Sequence, residues 1–299
     1  MKILISGSSG LIGSALVAFL TSVGHEVIKL VRRTEEDENG LSWDPYSETV
    51  DKSKLEGFDA VVNLSGETIA DKWTDEKKKK IHDSRVNLTK FLSITLTELE
   101  NPPKTLICAS AIGYYGDRSD ELLTEDSSFG AGYLPEVVRE WEAATVPASV
   151  NGIRVANMRF GLVLSPQGGA LAKMLPPFKM GVGGIVGSGK QYWSWIALED
   201  VVGAIHHALT TESLKGAVNV VAPIPVTNRE FTKCLGKVLG RPTVFPMPAV
   251  AVRLAFGEMG DALLLASARV EPTKLKNTGY EFRFTALEDA LRNMLGRTG

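Results

Sequence analysis

Three glycines spaced three apart, Gly7, Gly10 and Gly13, follow the apolar run Lys2-Ile3-Leu4-Ile5-Ser6 and lead directly into a helical pattern. A strand that turns through glycine into a helix presents main-chain N–H groups, here across Ser8, Ser9, Leu11 and Ile12, and such a helix N-terminus holds anions. Gly7 permits the tight turn, Gly10 lets a pyrophosphate approach the backbone, and Gly13 lets the helix pack closely on the strand. The helix, apolar at Leu11, Ile12, Ala15, Leu16, Phe19 and Leu20, closes at Gly24, and His25 to Val31 reads as a second strand. The result is a β-α-β unit of about thirty residues, the setting in which spaced glycines mark a dinucleotide site.

The second strand ends in Arg32-Arg33, where an acidic residue would select NAD through the adenosine ribose. A guanidinium there can fork onto a 2′-phosphate, a charge-assisted bond of about 1.5 to 3 kcal/mol, or roughly ten- to a hundredfold in affinity. NADP is therefore expected over NAD; the plainer reading is two solvated surface charges. Leu41-Ser42-Trp43 reads as a third strand and Asp59 to Leu64 as a fourth, ending in Ser65-Gly66-Glu67 with a glycine that again allows close approach of backbone to ligand. Thr74 then caps a single long helix running to about Glu100, with Lys77 to Lys80 as a solvated stretch and Ile81, Leu88, Phe91, Leu92 and Leu99 facing the sheet. Thr105 to Ala109 is a fifth strand, delivering Ser110-Ala111-Ile112-Gly113-Tyr114-Tyr115-Gly116 to the edge where open α/β sheets place their ligands. Tyr133 to about Ser149 is helical, and Val155 to Phe160 is a sixth strand, apolar on both faces. Six strands with helical crossovers predict an α/β fold built on a doubly wound parallel sheet.

After Gly161 glycines and prolines crowd together with Met174, Phe178, Tyr192, Trp193 and Trp195, a loop-rich segment suited to cover a substrate or to form an irregular packing layer. The nucleotide domain is expected over residues 1–165, with 197–222 returning to it, and residues 166–299 form a smaller, mostly helical substrate region, including helices near Ala262 to Ala268 and Pro272 to Asn277. The net charge of -2 carries no basic block, which argues against a nucleic-acid partner. No apolar run approaches the eighteen or so residues of a membrane span, so no membrane partner is expected. The first strand is expected to begin at Met1 or Lys2, so that no leader is expected ahead of it. Cys108 and Cys234 read as buried thiols of a reducing cytoplasm, and the four histidines have no metal-ligand spacing.

Taken together, these residues resemble the short-chain dehydrogenase/reductase superfamily, extended type, in its epimerase-like branch. Gly7-x-x-Gly10-x-x-Gly13 resembles the nucleotide loop, Asn63-Leu64-Ser65-Gly66 the fourth-strand motif, and Trp195 to Asp200 a further segment of that superfamily. Ser110 to Gly116, Trp141-Glu142-Ala143-Ala144, Arg159 to Leu164 and Pro272 to Tyr280 resemble an atypical subgroup with no settled substrate. The resemblance implies a Rossmann fold that binds NADP, with Leu64, Ser65, Gly66 and Arg85 joining the cofactor residues; Arg85 stands where many members carry a structural asparagine.

The superfamily's Tyr-x-x-x-Lys pair is incomplete: four residues after Tyr133 stands Val137, and along the chain Arg139 is the nearest cation. Without that lysine the phenol is expected to titrate near its ordinary value of about 10, better as an acid than as a base. The catalytic candidates are Ser110, to position a substrate oxygen, and Tyr133, or else Tyr114 or Tyr115, as proton donor. Registering the motif one residue later replaces Ser110 by Ala111. An NADP-dependent oxidoreductase or epimerase acting on a small carbonyl or hydroxyl compound, with a homodimer admissible, competes with a non-catalytic NADP-binding regulator and with a cofactor-free structural domain.

Overall fold

Strands that are apolar on both faces must be covered on both sides, and here a parallel sheet is sandwiched between helical layers. The computed structural model describes residues 1–32 and 40–297, so that Arg33 lies outside the described residues. The strands are β1 (Lys2–Ser6), β2 (Glu26–Arg32), β3 (Gly40–Asp44), β4 (Thr49–Val50), β5 (Ala60–Asn63), β6 (Thr105–Ala111), β7 (Arg154–Phe160) and β8 (Gly216–Val220). They lie in the order β8-β7-β6-β5-β1-β2-β3-β4. All neighbours are parallel except β3 and β4. The longer helices are α1 (Leu11–Ser22), α2 (Asp75–Asp83), α3 (Val86–Thr97), α4 (Tyr133–Ala143), α5 (Gly169–Lys179), α6 (Leu198–Thr210), α7 (Asn228–Leu239), α8 (Ala249–Phe256) and α9 (Leu287–Met294). One core joins Ile3, Ile5, Ile107 and Met158 to Leu16, Leu20 and Ile205. A second joins Leu4, Val61, Leu106 and Cys108 to Leu88, Leu92 and Leu96.

The chain builds outward from β1 to β4 and returns on the other side with β5, so the strand order reverses between β1 and β5, where doubly wound sheets open a crevice. The tips of these two strands are fastened together: Leu64 donates its N–H to the Ser6 carbonyl at 3.1 Å, and the Ser6 hydroxyl donates to Asn63 Oδ1 at 2.6 Å. Asn63 Nδ2 in turn donates to Thr89 Oγ1 on α3, which also accepts from the Trp141 indole on α4, each at 3.0 Å.

Several expectations are corrected. The single helix from Thr74 to Glu100 is two, broken at Ser84 and Arg85, because both side chains turn to the loop after β5. Ser84 Oγ accepts the Glu67 N–H at 3.0 Å, and Arg85 Nη2 donates to the Glu67 carbonyl at 2.9 Å. Lys77 and Lys78 are not merely solvated: Lys77 pairs with Glu67 at 2.6 Å and with Asp71 at 3.0 Å, and Lys78 reaches Glu258. The helix begun at Tyr133 ends at Ala143, and a separate turn spans Val146–Val150 around Pro147. The glycine-rich segment is not loop throughout. Leu162–Ser165 pairs in parallel with Trp195–Ala197, and α5 forms despite the donors that Pro176 and Pro177 withdraw. Phe178, Trp193 and Trp195 are buried with Leu171, Phe231, Leu235 and Leu291 in a third core, as the packing-layer alternative requires. In place of a helix at Ala262 to Ala268 there is a π-helical turn at Asp261–Leu265 and a short strand at Arg269–Val270 paired with Leu122–Leu123.

Helix α1 packs tightly on the turn before it at Gly13, where a Cβ would lie 2.1 Å from the Gly7 carbonyl oxygen. Alanine in an exposed helix gains about 1 kcal/mol over glycine, but an overlap of this size with main chain outweighs it. Gly13→Ala is therefore expected to lower stability by about 2 kcal/mol in a denaturant melt; a gain in stability would refute this packing.

Candidate active site

At the crevice, Gly7 has φ +70° and no room for a side chain, since its Cβ would lie 2.6 Å from Leu64 C. Gly10 is the N-cap of α1 and offers its first turn no side-chain acceptor. No acidic residue lies in that turn, so its N–H groups are left for an anionic guest. At Gly10 an added Cβ would have only the Gly7 carbonyl oxygen nearby, at 3.4 Å, with open space beyond it. Ser8 is buried and Ser9 exposed in the turn that leads there. Leu64-Ser65-Gly66 forms the opposing lip, fixed by Asn63 Oδ1, which accepts the Ser65 N–H at 3.3 Å. Arg32, exposed at the end of β2, lies where an adenosine ribose is held in sheets of this order. These features fit a nicotinamide dinucleotide. Arg85 braces the lip: its guanidinium donates to the Glu67 and Ile81 carbonyls and lies 5.2 Å from the Trp141 ring. Burial pushes its pKa down to about 10.

Further along the same edge, β6 delivers Ser110 and β7 delivers Arg159, in register as neighbours. The Ser110 hydroxyl donates to Glu142 Oε1 on α4 at 2.6 Å. Arg159 grips both oxygens of that carboxylate, through Nε at 2.7 Å and Nη2 at 2.8 Å. The Arg159 side chain is 3% exposed and that of Glu142 14%, so a forked pair offsets the cost of burying charge on the strand. Arg159 Nη1 donates to the Tyr115 hydroxyl at 2.9 Å, which donates onward to Asn219 Oδ1 at 2.7 Å. The Tyr114 ring stacks on the guanidinium at 3.5 Å.

The candidate tyrosines thus separate. Tyr115 is fully buried, and burial pushes its phenol up to about 12. Tyr114 lies flat against Arg159. Tyr133 opens α4 but donates its hydroxyl to the Lys78 carbonyl at 2.7 Å and packs edge-on against Trp73. Burial pushes its phenol up to about 12, so the expected value near 10 is corrected upward. Its nearest cations are also corrected: Lys78 Nζ lies 5.1 Å from the ring and the Arg85 charge acts on it, whereas Arg139 lies over Phe129. Glu142 and Arg159 went unassigned in the sequence. The available signal was a lone arginine in an apolar strand, which requires a buried counter-charge. Among the described residues there is no cluster suited to a metal ion.

Sheet order, glycine cradle and hydroxyl-carboxylate pair together define a nicotinamide-dinucleotide-binding α/β protein of the extended short-chain dehydrogenase/reductase type. A model of the NAD-dependent epimerase/dehydratase family matches residues 3–221, and the chain belongs to that family. A domain of unknown function matches residues 247–294. The chain is 44% identical over 296 residues to an epimerase family protein of Mycobacterium bovis, covering 99% of this chain and 98% of that one. It is similar to the crystal structure of human epimerase family protein SDR39U1 (isoform 2) with NADPH, at 33% identity and TM-score 0.92 over the full length of both. It also matches the nucleoside-diphosphate sugar epimerase of Corynebacterium glutamicum, at 40% identity and TM-score 0.81, covering 99% of this chain and 58% of that one.

A phenol raised from about 10 when unfolded to about 12 when folded holds its proton more tightly in the native state. Its stabilising contribution is complete below pH of about 10 and is lost as pH rises toward 12. In an alkaline titration followed by phenolate absorbance and circular dichroism, Tyr115 and Tyr133 are expected to ionise only as the fold is lost. Absence of one ionisation step from both Tyr115→Phe and Tyr133→Phe while the protein is still folded would contradict their burial.

Proposed function

We propose that the protein is an NADP-dependent oxidoreductase or epimerase acting on a small carbonyl or hydroxyl compound in a reducing cytoplasm. The observation that carries this reading is the 2.6 Å contact between Ser110 and Glu142 on the sheet edge that also bears the glycine cradle. The main chain of Gly7 to Gly13 would hold the pyrophosphate, Leu64 to Gly66 would line the nicotinamide half, and Arg32, with Arg33, would meet a 2′-phosphate. The human relative solved with NADPH supports that cofactor choice. The dinucleotide supplies hydride chemistry when bound. The chain's own task is one proton: Ser110 positions the substrate oxygen; in oxidation its hydroxyl takes the substrate proton while passing its own to the Glu142 carboxylate, held by Arg159, from which water removes it, and reduction runs the same path backward with water as the proton source. Tyr114 forms a wall beside them. Tyr133 is the alternative donor; its bond to the Lys78 carbonyl and the absence of a lysine four residues on favour Ser110 instead. The same two features also support the second reading, a regulator that binds NADP without turnover.

Cofactor choice is tested by titrating tryptophan fluorescence with NADPH and NADH: NADPH is expected to bind about tenfold or more tightly, and Arg32→Ala to narrow the ratio. Equal affinities would remove the 2′-phosphate argument. Catalysis is tested in a carbonyl screen that follows NADPH oxidation. Ser110→Ala is expected to lower kcat about a hundredfold with NADPH affinity unchanged, while Tyr133→Phe stays within a few fold. The reverse result would move the proton to Tyr133, and tight NADPH binding with no turnover of any carbonyl would establish the regulator.

A further inference from the structure

We infer that the C-terminal region carries a docking surface for an anionic lipid bilayer, lying on α8 and the two segments next to it. Helix α8, Ala-Val-Ala-Val-Arg-Leu-Ala-Phe, buries only Val252 fully. Leu254 is 85% exposed, Val250 66% and, just before the helix, Val244 70% and Phe245 57%. Beside them Met180 is 70% exposed and Val182 51%. The stretch before α8 and the one after α5 are tied at their backbones. Val186 and Met247 form a parallel bridge, Met247 donates its N–H to the Ile185 carbonyl at 2.8 Å, and a Cβ on Gly181 would lie 3.7 Å from the Pro242 ring. Large apolar side chains exposed together on a protein that has otherwise buried its core mark an interaction surface.

Charge identifies the occupant. Residues 166–198 contain Lys173, Lys179 and Lys190 with no acidic residue, and residues 231–257 contain Lys233, Lys237, Arg241 and Arg253 with none. From other elements Asp261 neutralises Arg253, Glu288 neutralises Lys237, and Glu258 is engaged by Lys78. Lys179 and Arg241, which border the tied segments, are exposed and have no ion-pair partner among the described residues. A second copy docked face to face would set these cations against their own counterparts. An anionic headgroup layer meets them with opposite charge while the apolar side chains enter the acyl boundary. Docking is peripheral, since among the described residues no helix is long and apolar enough to cross a membrane.

The test is flotation of the full chain with phosphatidylcholine vesicles, with and without phosphatidylglycerol, at low and high salt. Binding is expected only with phosphatidylglycerol and is expected to weaken with salt. The double variant Phe245→Asp/Leu254→Asp should lower partitioning at least tenfold, and Lys179→Glu or Arg241→Glu about fivefold each. The melting curve and NADPH affinity should not change in any of them, which separates this surface from the cofactor site. No binding to anionic vesicles, equal binding to neutral ones, or binding untouched by the double variant would overturn the inference. A concentration-dependent dimer in sedimentation velocity that the double variant dissolves would assign the surface to a second copy instead.

Discussion

A guanidinium sealed inside an α/β sheet is the constraint around which the candidate active-site edge is arranged. Arg159 sits on an interior strand, and an unpaired charge there would cost several kcal/mol. Every donor it has near the edge is therefore matched: two go to Glu142 and one to Tyr115, with Tyr114 stacked on its face. Meeting that requirement draws α4, the turn after β6 and strand β8 toward β7. The Ser110-Glu142 contact follows from the same arrangement, because the carboxylate oxygen that faces Arg159 Nε also accepts the serine proton. Structural neutralisation and the proposed proton path share one carboxylate.

The cofactor edge depends on a different economy of space. Gly7 and Gly13 are glycines because main chain already occupies where their side chains would go, whereas Gly10 faces open space above an uncapped helix end. The first two are required by close packing, and the third leaves the helix end open. Asn63 joins the two functions: it fastens β1 to β5 and, through Thr89 and the Trp141 indole, aligns the glycine cradle with the helix that carries Glu142.

The smaller region is attached by buried polar groups as well as by apolar packing. The Asp200 carboxylate accepts the N–H groups of Arg283 at 2.7 Å and Phe284 at 3.0 Å, and Glu125 accepts those of Asn219 and Lys274, each at 3.1 Å. These contacts fix the chain before α9, whose Leu287 and Leu291 then close the third core. Helix α8 buries only Val252 fully, and its Val250 and Leu254 are left exposed.

Local chemistry in the sequence determined the strand-glycine-helix cradle, the doubly wound sheet, the return of residues near Gly216 to it, and Ser110 at its edge. Periodicity and glycine spacing are short-range and survive without knowledge of neighbours. Tertiary structure alone decided what depends on distant partners. It broke the helix at Ser84 and Arg85 because the loop after β5 needed their hydrogen bonds, and it turned Trp193 and Trp195 into core because α7 and α9 lie over them. It also set Tyr133 against the Lys78 carbonyl, 55 residues away along the chain, and brought Glu142 between Ser110 and Arg159. A single sequence shows that a buried arginine must be neutralised; which of its 35 acidic residues does so is fixed only when the helices pack.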